Sequence, residues 1–153
     1  MNYSSKDFHR TKKTIEVEYP EKLTHEQVLK SAKNHDFESE RGHQVGIVDL
    51  PSKTISMTIG GLTPGQATNR HRHSYETLIY VTKGSGYSEI GDKKILWKQG
   101  DAIYVPIWSW HRHVNDSSYQ DVEYIACENT PLLQNLGGLA LREEAAPEEP
   151  SWN

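Results

Sequence analysis

Two histidine pairs, each with one residue between its members, constrain this chain more than any other feature. They are His71 with His73 and His111 with His113, inside a stretch that runs from Gly65 to Asn115. In a strand, residues two apart point to the same face. Each pair therefore projects from its strand to one side, and two such strands around a common interior bring three or four imidazoles together. Imidazole nitrogen suits Fe, Zn, Cu and Ni, so the pattern predicts a mononuclear metal site. The other four histidines, His9, His25, His35 and His43, are scattered.

Around these pairs the chain reads as short strands cut by glycine and proline. Period-two and β-rich runs predict strands at residues 45–50, 54–60, 67–73, 77–83, 87–90, 94–97, 102–105, 111–114 and 122–127. Turns fall at Pro64-Gly65, Gly91-Asp92 and Gly100-Asp101. Short strands at near-regular spacing imply an all-β jelly-roll barrel. Upstream, residues 14–18 alternate like a further strand. Residues 24–33 predict one short helix packed outside the barrel, opened by Thr24 with Gln27 three residues on and carrying Val28, Leu29 and Ala32 as an apolar stripe. Downstream, residues 131–141 are apolar enough to pack on a barrel end or a partner subunit, and residues 142–153 are acidic and predicted to be disordered. The expected division is an arm and helix over 1–44, a barrel over 45–127, and a packing segment and tail over 128–153.

Bulk properties exclude more than they assign. The length of 153 residues predicts one domain. A net charge of −4 gives no support to a nucleic-acid or anionic-membrane partner. The single cysteine, Cys127, forbids an intrachain disulfide and fits a cytoplasmic protein. No run approaches transmembrane length.

The spacing carries a resemblance. Gly65, His71, His73, Thr77 and Gly84 stand in the frame of the first cupin motif, and Gly100, Pro106, Trp108, His111 and Asn115 in that of the second. Residues 45–127 are thus similar to the cupin superfamily, which implies a cupin-type jelly roll (double-stranded β-helix). Thr77 stands where that family usually has a metal-binding glutamate, and Trp108 where it usually has glycine. Strand parity from His73 points Thr77 inward and Glu76 outward, unless a bulge returns Glu76 to the inner face. The favoured reading is a metal held by His71, His73 and His111, with His113 either a fourth ligand or an acid/base group beside it. Three neutral imidazoles leave the full charge on a divalent ion and up to three open positions, which suits a chelating anionic substrate together with O₂.

The segment PIWSWHRHVN resembles the matching segment of gentisate 1,2-dioxygenases and their salicylate and 1-hydroxy-2-naphthoate relatives, as do HRH at 71–73 and PLLQNLG at 131–137. That resemblance implies a gentisate-like (extradiol-type) dioxygenase with Fe(II) on His71, His73 and His111. It implies His113 acting near the substrate and Trp108 and Trp110 shaping the pocket. Enzymes of that family typically carry two cupin domains, whereas this sequence shows one and no internal repeat. Among the tyrosines, Tyr104 is the best pocket candidate because it lies next to the second motif, and Thr77 lines the same interior. Arg70, Arg72 and Arg112 have the opposite parity to the histidines and belong on the outer face. The expected partners are a small-molecule substrate, O₂ and a second copy of the chain in a homodimer. With Zn, Ni or Mn the same barrel would serve O₂-independent isomerase, lyase or cyclase chemistry, and without turnover it would be a small-ligand-binding module.

Overall fold

The protein is described from a computed structural model over residues 17–28 and 35–146. In chain order the elements are α1 (His35–Arg41), β1 (Gln44–Val48), β2 (Ser56–Leu62), β3 (His71–His73), β4 (Thr77–Lys83) and β5 (Ser85–Ile90). They continue with β6 (Lys93–Lys98), β7 (Ala102–Val105), β8 (His111–Val114), β9 (Val122–Glu128), α2 (Thr130–Asn135) and β10 (Arg142–Glu144). The strands form two five-stranded sheets in the orders β1-β2-β9-β4-β7 and β10-β3-β8-β5-β6. Every pairing is antiparallel. This is the all-β jelly roll that the strand pattern implies, of the cupin type that the resemblance implies.

Alternation along each strand decides what faces inward. On β4, Thr77, Ile79 and Val81 are buried while Leu78 and Tyr80 are exposed. Residues from both sheets meet in one core, with Leu62, Val81, Val105 and Val122 from the first against Ile90 and Trp97 from the second. Burying such side chains stabilises the fold by about 1.5–3 kcal/mol each. Gly86 is required here because a Cβ would collide with the Trp97 ring and the Val114 carbonyl. Trp97 thereby reaches the interior beside Ser88.

Several boundaries differ from expectation. Of the helix expected at 24–33, residues 24–27 are not helical, Gln27 has φ 50°, and 29–34 lie outside the described residues. The helix that is seen follows at His35–Arg41. Residues 14–16 of the first expected strand also lie outside, and Val17 and Glu18 are not in a strand. Residues 67–70 are not part of β3, although Ala67 makes an isolated bridge to Val114. Residues 142–144, expected to be disordered, form β10 and pair with β3 so that Arg142 faces His73 and Glu144 faces His71. An Arg72–Glu143 ion pair at 2.7 Å and the Ala145 N–H to Arg70 carbonyl bond hold that edge. Among the described residues no helix is long and apolar enough to cross a membrane.

Candidate metal centre

β3 and β8 are neighbours in register at His71 and His111, so the two histidine pairs lie side by side on the inner face. His71, His73 and His111 are buried, and each offers one ring nitrogen such that these atoms lie within 4.8 Å of one another. Their ring centroids are 4.2 Å (His71–His111), 4.7 Å (His73–His111) and 5.7 Å (His71–His73) apart. Glu76 is exposed and lies outside this group. Its backbone N–H donates to Asn129 Oδ1, and its carboxylate accepts from the Tyr104 hydroxyl. Thr77 is the residue that faces inward, as parity requires.

The tautomers follow from the partners. His71 Nδ1 is 2.7 Å from the Asn69 carbonyl, His73 Nδ1 2.7 Å from the Tyr75 carbonyl, and His111 Nδ1 2.8 Å from the Ser109 carbonyl. A carbonyl only accepts, so each Nδ1 carries the proton and each Nε2 keeps a lone pair. Such an outer hydrogen bond is what orients a ligating histidine. Burial, followed by the neighbouring imidazoles, lowers the His71 pKa to about 3 and that of His73 to about 4. Burial also lowers His111. The rings are thus neutral at pH 7, the form in which imidazole binds a metal. The donor set fits a divalent cation that favours imidazole.

His113 is held the opposite way. Its Nδ1 lies 2.7 Å from Ser88 Oγ, and the same oxygen accepts from Trp97 Nε1 at 2.8 Å. Indole only donates, and Ser88 is fully buried. If His113 Nδ1 also donated, the Ser88 proton would lack a partner, at a cost of about 1–3 kcal/mol. Ser88 therefore donates to Nδ1, and His113 carries its proton on Nε2. This tautomer sets His113 apart from the three convergent rings. Burial lowers its pKa well below the ordinary value.

These residues line a cavity of about 400 Å³. Thr77 lines it and is buried. Three expected pocket residues do not. Tyr104 is 49 % exposed on the outer face of β7, where inward positions belong to Ile103 and Val105. Trp108 and Trp110 turn to the outer side, each with its ring centroid 4.6 Å from the Arg72 guanidinium. Trp108 has φ 60°, the left-handed region that favours glycine, so the preceding loop does not keep strand parity. Tyr75 takes the place expected of Tyr104, stacked on His73 at 4.0 Å with an interplanar angle of 2°. The arginines lie off the cavity as parity requires: Arg70 is exposed, Arg72 pairs with Glu143, and Arg112 pairs with Glu89.

The cavity residues that had no assignment from the sequence include Arg41, His43, Tyr124 and Glu128. His43 Nδ1 bonds the Arg41 carbonyl at 3.0 Å, so its Nε2 accepts from the Tyr124 hydroxyl at 3.4 Å. Glu128 accepts from Thr77 Oγ1 at 3.1 Å and from Thr130 Oγ1 at 3.5 Å. Burial raises its carboxyl pKa, against the two threonine hydroxyls. Its signal was present, since Val122, Tyr124, Ala126 and Glu128 share one face of β9. The strand expected at 122–127 stopped one residue short of it.

Two facing antiparallel sheets with convergent imidazoles between them define a metal-binding barrel of the cupin class. Residues 59–127 match the cupin domain family. The chain is 31 % identical over 94 residues to 5-aminosalicylate 1,2-dioxygenase of a Comamonas species, a match covering 61 % of this chain and 25 % of that enzyme. It is 37 % identical over 75 residues to gentisate 1,2-dioxygenase 1 of Aquipseudomonas alcaligenes, covering 47 % and 22 %. Salicylate 1,2-dioxygenase of Pseudoaminobacter salicylatoxidans, solved with gentisate, superposes with a TM-score of 0.66 at 22 % identity over 82 % of this chain and 37 % of that one. The chain resembles a single cupin domain of these dioxygenases and spans a quarter or less of the length of the two relatives.

Proposed function

We propose that the protein is a mononuclear non-haem Fe(II) dioxygenase acting on a hydroxylated aromatic acid or a similar chelating small molecule. The observation that carries this reading is the set of three Nε2 lone pairs, on His71, His73 and His111, converging with no carboxylate among them. The dioxygenase relatives point the same way. Iron(II), when bound, supplies coordination positions for a chelating substrate and O₂ and the electrons that activate the latter.

The chain's own residues do the rest. The carbonyls of Asn69, Tyr75 and Ser109 fix the three rings before any ligand arrives. Thr77, in the place of the carboxylate ligand of other cupins, gives its proton to Glu128 at 3.1 Å rather than to His73 Nε2 at 3.5 Å, which keeps that lone pair available. His113 is the catalytic residue of this reading. It holds a proton at Nε2 in the cavity, ready to hydrogen-bond a substrate oxygen and to supply that proton as the ring opens. Apolar surface on the outer face, including Leu78, Tyr80 and Tyr104, suits a homodimer. The free thiol of Cys127 suits a cytoplasmic location.

The test is O₂ consumption by protein reconstituted anaerobically with Fe(II), against gentisate, salicylate, hydroxynaphthoate and simple β-diketones. Uptake stoichiometric with loss of one substrate, and abolished in His111→Ala, is the expected result. Silence across the panel with iron bound overturns the reading. Product formed without O₂ would assign Lewis-acid isomerase, lyase or cyclase chemistry instead. Saturable binding without product would mark a ligand-binding module.

A further inference from the structure

The three ligand histidines are not equally supported by the sheet. β8, which carries His111 and His113, pairs with β5 at four positions, from Tyr87↔Val114 to Ile90↔His111. β3, which carries His71 and His73, is three residues long and shares one register position with β8, His71↔His111. At His73 the neighbour is no longer β8 but the loop before it, where the Trp108 N–H donates to the His73 carbonyl at 2.8 Å. On its other side β3 has β10, itself three residues long. Two of the three ligands therefore stand on a strand whose placement depends on a loop and a short edge strand.

Arg72 joins these pieces on the outer face. It lies between the two β3 histidines in sequence and has the opposite parity. Its guanidinium is 4.6 Å from the ring centroids of both Trp108 and Trp110, within the range of a cation–π contact. Its Nε and a terminal nitrogen are each 2.7 Å from the same carboxylate oxygen of Glu143 on β10. The loop gripped in this way also supplies the Ser109 carbonyl that fixes the His111 ring. One side chain thus touches both neighbours that set where β3 lies relative to His111. The second histidine pair has a counterpart in Arg112, between His111 and His113, which pairs with Glu89 at 2.6 Å. Glu89 is opposite Arg112 on β5, so that ion pair joins two strands already in register over four positions.

We propose that Arg72 is a positioning residue for the metal centre: acting through β3, it holds His71 and His73 at the spacing from His111 that a single ion requires. The inference rests on the three-histidine metal site proposed above and is independent of the reaction. It carries a sign that charge alone does not. Removing a cation from the neighbourhood of a divalent ion favours binding on Coulomb grounds, whereas removing a positioning group weakens it.

The experiment titrates metal-free protein with Co(II), reading the dissociation constant by chelator competition and the coordination from the visible absorption of the bound ion. Arg72→Gln is expected to bind Co(II) about tenfold more weakly than wild type, the lower end of what partners of metal ligands contribute, with an altered spectrum. Arg72→Lys keeps the charge but loses the planar fork, and is expected to fall between the two. Arg112→Gln removes the same charge beside His111 and is expected to leave both readouts as in wild type. Should Arg72→Gln fail to fold, Glu143→Gln, a change at an exposed edge-strand residue, carries the comparison, with weaker Co(II) binding again expected and wild-type binding counting against the inference. Unchanged or tighter Co(II) binding in Arg72→Gln overturns the inference, as does an equal loss in Arg112→Gln. Wild-type protein that binds no Co(II), or His111→Ala that binds it as well as wild type, overturns the metal site itself and the inference with it.

Discussion

The Ser88 hydroxyl and His113 Nδ1 are 2.7 Å apart, and the direction of that hydrogen bond is set by a third residue, Trp97. Because the indole occupies the oxygen as a donor, the serine proton must go to the imidazole. Nitrogen-15 NMR of the protein should show His113 protonated on Nε2, opposite to His71, His73 and His111. Ser88→Ala removes the lock, and the His113 signals should then shift toward the Nδ1-protonated form or a mixture. The lost network should lower stability by about 1–3 kcal/mol. A wild-type His113 protonated on Nδ1 would defeat the argument.

Thr77 and Glu128 make the second consequential pair. Thr77→Glu would place the carboxylate ligand of other cupins in front of His73, but also against Glu128, and two adjacent carboxylates do not both ionise readily. The single variant should therefore be less stable than wild type and gain little metal affinity. Thr77→Glu combined with Glu128→Gln should regain stability and bind Fe(II) more tightly than wild type. It should also bind chelating acids more weakly, since one coordination position is taken. Urea unfolding and chelator competition across the four proteins should give a coupling of about 1–3 kcal/mol. Additive effects would mean that the two side chains do not meet.

What was legible in the sequence was whatever obeys a period of two. The inward direction of His71, His73, Thr77, His111 and His113 and the outward direction of Glu76 all follow from strand parity. The same rule, applied to β7, places Ile103 and Val105 inward and so turns Tyr104 out, and extended by one residue on β9 it reaches Glu128. Trp108 and Trp110 were beyond its reach, because a left-handed residue at 108 breaks the alternation before β8 begins. β10 was illegible for another reason. Its stability comes from pairing with β3 and from Glu143 meeting Arg72, partners about seventy residues away that no local pattern reports. Arg41 and His43 reach the cavity through a helix and turn whose placement is likewise set by tertiary contacts.

Trp108 offers a test of that broken alternation. A non-glycine residue in the left-handed region costs about 1–2 kcal/mol relative to the right-handed one, while its ring over Arg72 contributes about 0.5–1 kcal/mol at such a partly exposed site. Trp108→Ala keeps the backbone cost and loses the ring, so it should be destabilised. Trp108→Gly loses both and should be near wild type, more stable than the alanine variant by about 1 kcal/mol. Equal stabilities for the two variants would mean that residue 108 does not adopt positive φ in solution.

Acid should unfold the metal-free protein through its cavity histidines. His71 and His73 have folded pKa values of about 3 and about 4, and His111 and His113 are also lowered, against an ordinary value of 6.5. Between the folded and unfolded values the unfolded chain binds more protons, so stability rises with pH in that window. The contribution is fully present above about pH 6.5 and is lost as pH falls toward the folded values. Urea midpoints of apo-protein should be level from pH 8 to 7 and should decline steadily below 6.5. With Zn(II) or Fe(II) bound, the decline should begin at lower pH, because protons must first displace the metal. His73→Gln should flatten the apo profile by removing one titrating group. A wild-type apo profile that is level down to pH 5 would mean that the four imidazoles are solvated rather than buried together.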